Sequence, residues 1–138
     1  MDPVTEQERA SYGPIDFDME EYRQDIGTNE LLKKDKTELL MNRWRMPTLS
    51  LHGIEGAYAD PGAKTVIPRQ VVGKFSLRIV PSQTPADIEK HVTDYIMKLH
   101  AESGSKNEIK LEMPNGGRPW VADITDPNFR AGAAAIKG

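Results

Sequence analysis

The chain contains no cysteine. That absence removes disulfides, thiolate metal sites and thiol nucleophiles together, and it leans towards a reducing compartment. Nor is there an apolar run approaching the roughly 20 residues needed to span a bilayer. No contiguous basic stripe appears either: 18 Lys and Arg stand against 21 Asp and Glu, a net charge of −3, so a nucleic-acid footprint is missing. The opening MDPVTEQERAS is polar and acidic where a signal peptide would be basic and then apolar. Above all, no group of His, Cys, Asp and Glu has the spacing to hold a metal or run a hydrolysis by itself. What remains is 138 residues, one domain's worth. The composition predicts a soluble, cytoplasmic, globular chain with no membrane or nucleic-acid partner.

Three parts follow one another. Residues 1–47 read as a helical insertion or arm. Asp16 or Asp18 is placed to cap a first helix with Met19, Tyr22 and Ile26 on its apolar face and Gly27 at its end. A second helix is expected from about Lys36 to Arg45, with Leu39, Leu40 and Trp44 as its buried edge and Pro47 as its stop. So polar an arm has too few apolar positions for a core of its own and must lean on something else.

Residues 48–117 predict a β-β-α-β unit. Leu49, Leu51 and Gly53 alternate with Ser50, His52 and Ile54, and Phe75, Leu77 and Ile79 alternate with Lys74, Ser76 and Arg78, the period-two pattern of half-buried strands. Arg78 therefore faces away from the apolar side. Thr84-Pro85-Ala86-Asp87 marks a helix start, with a capping threonine, proline at the first position and a carboxylate near the positive dipole end. Ile88, Val92, Tyr95 and Leu99 then share one face, expected to pack on the sheet. Ser103-Gly104-Ser105 ends the helix, and Ile109, Leu111 and Met113 alternate as a third strand. Residues 118–138 hold Asp126-Pro127-Asn128-Phe129 and an alanine-rich stretch, expected to be a capped helix cut off after two or three turns.

Most candidate chemistry dissolves under geometry. His52 and Glu55, at odd spacing in a strand, are expected on opposite faces. His91 and His100 lie nine positions apart on one helix, a rotation of about 180° at about 100° per residue. Glu20-Glu21 reads as a solvated helix face. Ser50, Ser76 and Thr65 have no base in their sequence context. Arg78 and the loop Gly62-Ala63-Lys64-Thr65 remain. A guanidinium grips a carboxylate bidentately, and a threonine hydroxyl with loop amides adds directional bonds. The plain alternative is a solvated strand arginine beside a glycine that only shapes a connection.

The runs SLHGIEGA, GAKTVIPR and FSLRIVP, followed by NGGRPWVAD, resemble the lid region of di-metal dipeptidases of the cytosolic non-specific dipeptidase and carnosinase family, from about Ile15 to the C-terminus. The resemblance implies a catalytic α/β domain elsewhere that holds two divalent metals, zinc or manganese, and a lid that closes on a dipeptide substrate and forms a homodimer. It assigns substrate contacts to Thr65, reaching from the partner subunit, and to Arg78, holding the substrate carboxylate. It points to Asn115 where the family often has a histidine. The family's His-x-Asp motif, Glu-Glu pair and late His are missing, so this chain is expected to be a fragment without metal ligands or general base, acting through self-association, the parent's catalytic domain and substrate.

The expected fold is α+β: an incomplete ferredoxin-like sandwich, an antiparallel sheet with a helix on one face, missing its first strand and helix. The open slot would expose unpaired amides and carbonyls to a second copy. Two other readings stand beside this one, a stand-alone non-catalytic dimerisation or interaction module and a ferredoxin-like RNA binder. The latter suffers from a lack of paired aromatics on the exposed strand face.

Overall fold

Each helix of the computed structural model, which describes residues 1–137, begins where a side chain or proline can replace the missing backbone partners. The elements run α1 (Glu6–Ser11), α2 (Met19–Asp25), α3 (Lys36–Trp44), β1 (Thr48–Glu55), β2 (Val72–Arg78), α4 (Pro85–Ser103) and α5 (Pro127–Lys137), an α+β chain. Thr5 Oγ1 accepts from the Glu8 amide at 3.1 Å, Asp18 from Glu20 and Glu21 at 2.8 Å each, and Asp35 from Glu38 at 2.9 Å. Of the two caps proposed for α2, Asp18 is the one used. Such caps are worth about 1 kcal/mol each. At α4, Thr84 Oγ1 both accepts from the Asp87 amide and donates to its carboxylate. Gly104, at φ 66°, closes that helix in the left-handed conformation that glycine adopts freely. Asp126 accepts from the Asn128 amide at the start of α5.

Two compact units form, one of Asp2–Val80 and one of Met1 with the segment from Pro81 onward. In the first, the core is small: Leu39, Leu40 and Met41 of α3, with Val80. Each such burial contributes about 1.5–3 kcal/mol. The N-terminal arm fastens to α3 by polar contacts. Lys36 Nζ donates to the carbonyls of Gly13 and Ile15 at 2.8 and 2.9 Å, and Arg45 Nε donates to Glu8 Oε1 at 2.7 Å. Arg43 stacks over the Tyr22 ring at 5.0 Å. Trp44, expected in the buried edge, is instead 54% exposed at the last helical position. The arm also contains α1, ahead of the two helices expected from the sequence.

The sheet is an antiparallel pair, with Thr48 opposite Arg78, Leu49 opposite Leu77, Ser50 opposite Ser76 and Leu51 opposite Phe75. A bulge then intervenes, because Gly53 and not His52 pairs with Lys74, followed by Ile54 with Gly73 and Glu55 with Val72. One extra residue reverses the alternation. Ile54 therefore joins Leu49, Leu51, Phe75 and Leu77 on the apolar face, and Gly53 leaves it, the opposite of the simple period-two expectation. That apolar face is open: Leu51 is 81% and Ile54 69% exposed.

The third strand expected at Ile109–Met113 does not form, and among the described residues the sheet has two strands. The segment is extended enough for Lys110 and Glu112 to ion-pair on one side, but a ladder requires a neighbour to receive its amides and carbonyls. In the second unit α4 buries no residue, and Tyr95 and Leu99 of its apolar face are exposed. Gly116 lies so close to Pro85, at the start of α4, that a Cβ there would meet the proline Cβ at 3.0 Å. Gly117, beside it, has open space.

Candidate functional site

Arg78 ends β2 on the polar face, and its guanidinium turns to the C-terminus of α3. Nη1 donates to the Arg43 carbonyl at 2.6 Å, while Nη2 donates to those of Asn42 at 3.0 Å and Met46 at 2.7 Å. The need arises in the sequence. The Arg43 carbonyl would ordinarily accept from the residue four positions on, which is Pro47 and has no N–H. The Asn42 carbonyl would accept from Met46, whose amide instead bonds Met41 at 2.9 Å. A cation at the negative end of the helix dipole is favourable besides. Arg78 thus both caps a helix and remains exposed. Of the five N–H groups of a guanidinium, Nε–H and one on Nη1 are left over. Both two-pronged edges of the fork include an Nη2 hydrogen, and Nη2 is already engaged.

Along the same face, every second residue of β2 follows: Ser76, Lys74, Val72. His52, the residue the bulge leaves unpaired, brings Nε2 to 2.7 Å from Ser76 Oγ. Ser76 therefore does have an imidazole beside it, although sequence context offers none. The available signal was Gly53: a glycine inside a strand marks a bulge, and a bulge re-aims its neighbour. The bulge also puts His52 and Glu55 on one face rather than two. Glu55 is occupied by an ion pair with Lys74 across the strands.

Thr65 lies exposed in the loop between Glu55 and Val72. Two contacts shape this loop. Gly56, at φ 87°, packs so tightly on the loop's far end that a Cβ would come within 2.2 Å of the Gln70 carbonyl oxygen. Tyr58 holds Lys64 over its ring at 5.4 Å and donates to the Pro61 carbonyl at 3.3 Å. The loop leaves the hairpin at the Glu55–Val72 end, and Arg78 stands at the other. The six strand steps between Val72 and Arg78 span about 20 Å. Asn115 is exposed in the second unit, next to the buttressed Gly116.

Some of the charge elsewhere is locally paired. Glu20 accepts from Arg23 Nε and Nη2 and from Gln24 Nε2. These bonds, those of Arg23 foremost, lower its pKa to about 2. Glu8 pushes the Arg45 guanidinium up, chiefly through their hydrogen bond. Among the described residues no three His, Cys, Asp or Glu side chains converge as a metal site would require. None of the described helices is long and apolar enough to cross a membrane.

Comparison with known proteins gives consistent matches. A family model described as a peptidase dimerisation domain, M20_dimer, matches residues 13–104. The chain is 44% identical over 137 residues to the Beta-Ala-His dipeptidase of Mus musculus, covering 99% of this chain and 28% of that protein. It is 42% identical over 135 residues to the Cys-Gly metallodipeptidase DUG1 of Candida albicans, covering 98% and 28%. The crystal structure of human carnosine dipeptidase 1 superimposes with a TM-score of 0.90 at 43% identity, over 98% of this chain and 29% of that one. The chain therefore spans somewhat over a quarter of the length of these relatives.

Proposed function

Because the chain belongs to the M20 peptidase dimerisation-domain family, we propose that it serves as the substrate-capping and dimer-forming part of a metal-dependent dipeptidase of the cytoplasm. The similar proteins are named dipeptidases, one of them a metallodipeptidase. In the intact protein two divalent metals, zinc or manganese, would supply Lewis-acid and water-activating chemistry. The side chains described here do not fit such a centre, so their contribution is binding, orientation and exclusion of water.

Arg78 carries the reading. It is an exposed cation on the polar sheet face, held in place by three carbonyls, and its role is to receive the carboxylate of a dipeptide. A carboxylate that takes the Nε–Nη2 edge draws Nη2 off one of its carbonyls, which links substrate binding to the end of α3. Thr65 contributes a hydroxyl from the loop at the opposite end of the hairpin. That separation favours an arrangement in which Thr65 reaches a substrate held by another copy's Arg78. Asn115, a neutral hydrogen-bonding group, is a third contact.

The open strand edges and apolar sheet face, with Leu51 and Ile54 mostly exposed, support self-association, since unpaired strand edges accept further strands. In the intact enzyme, Arg78→Ala raises KM strongly for dipeptides and much less for substrates lacking a free carboxylate. Equal losses for both substrate types refute the carboxylate role.

A further inference from the structure

We propose that His52 and Ser76 form a second subsite, selecting dipeptides whose C-terminal residue bears a neutral, hydrogen-bonding side chain. The proposal rests on the carboxylate-binding reading of Arg78.

The sheet register brings the parts together. Arg78 and Ser76 are two residues apart on one strand, hence on one face, with their Cα atoms about 7 Å apart. The bulge delivers His52 to the same place, with Nε2 2.7 Å from Ser76 Oγ. In a free amino acid, three or four bonds of about 1.5 Å separate the carboxylate carbon from the polar atom of a side chain such as asparagine's. A ligand held at Arg78 by its carboxylate can therefore lay that side chain along the strand towards Ser76.

The chemistry of the pair defines what it accepts. With the hydroxyl donating to Nε2, the imidazole keeps Nδ1–H as a free donor and the serine oxygen keeps a lone pair. With Nε2–H donating to the serine, the hydroxyl hydrogen is free and Nδ1 becomes an acceptor. Either tautomer presents one donor and at least one acceptor. Beyond the pair, Lys74 and Glu55 neutralise one another, so this stretch offers no net charge to a second carboxylate or ammonium. An amide, a hydroxyl or a neutral imidazole satisfies it; an alkyl side chain leaves it unmatched.

The test is the intact enzyme acting on two dipeptides of nearly equal shape, Ala-Asn and Ala-Leu. A neutral hydrogen bond or two makes kcat/KM about tenfold higher for Ala-Asn. In Ser76→Ala and in His52→Leu that ratio falls to about one, and in His52→Gln, which keeps a hydrogen-bonding side chain, it recovers in part. Because wild-type discrimination is measured first, a variant that fails to fold does not block the test. A wild-type ratio near one, or a ratio unchanged in both deletion variants, overturns the subsite. Arg78→Ala reports separately: if it leaves KM unchanged for both dipeptides, the carboxylate reading has failed, whereas a strong Arg78 effect without side-chain discrimination means that the subsite alone is wrong.

Discussion

Arg78 Nη1 and the Arg43 carbonyl stand 2.6 Å apart, so the last residue of β2 closes the helix that precedes β1. A charged hydrogen bond of this kind contributes about 1.5–3 kcal/mol. Arg78→Ala is therefore expected to lower stability by about that amount as well as to weaken substrate binding. Arg78→Lys, with a single compact ammonium, restores part of the stability and little of the carboxylate affinity. Chemical denaturation and steady-state kinetics on the same two variants separate the effects.

Leu40 is fully buried and Leu51 is 81% exposed. Leu40→Ala should cost about 2–5 kcal/mol in unfolding experiments. Leu51→Ala should leave the monomer's stability within about 0.5 kcal/mol while weakening self-association, read by sedimentation over a concentration series. Equal effects of the two substitutions on monomer stability would contradict the placement of the core.

Gly56 and Gly62 both have positive φ, but only Gly56 faces a neighbour at impossible distance. Gly62→Ala carries the conformational cost of about 1–2 kcal/mol for a left-handed alanine. Gly56→Ala adds a clash with the Gln70 backbone and must shift the loop base, with Thr65 downstream. Amide chemical shifts across residues 57–71 should move widely for the second substitution and locally for the first.

The Glu20 carboxyl has a folded-state pKa of about 2, lowered from 4.5 by its bonds to Arg23 and Gln24. The sign follows from linkage: a depressed carboxyl stabilises the folded state above its unfolded pKa and loses that contribution as pH falls through the folded value. The loss is expected between about 4.5 and 2. A carboxyl-carbon NMR titration should find Glu20 titrating well below the ordinary carboxylate range, and Arg23→Gln should return it towards that range.

Elements with strong local chemistry were legible. Thr84-Pro85 announced α4, Gly104 its end, and Leu39 and Leu40 the buried side of α3. Alternating apolar residues marked both strands, and Arg78 was correctly placed on the polar face. The misses have physical causes. At six residues and with no buried side chain, α1 shows no apolar periodicity, only Thr5 three positions before Glu8. Alternation alone predicts a third strand, but pairing depends on a partner that pattern cannot supply. Type and spacing predict Trp44 in the core, although the helix ends beneath it. The His52–Ser76 contact crosses 24 positions and depends on a bulge, so spacing arguments missed it.

The displaced register at His52 divides β1 into two segments with opposite parity. Deleting that one residue would make pairing with β2 continuous and leave the tip of the strand as it is, Ile54 with the leucines and phenylalanine and Glu55 on the face of Lys74. The ladder consequently does not need His52 at all: a single-codon deletion there spares the pairing and removes only the imidazole beside Ser76.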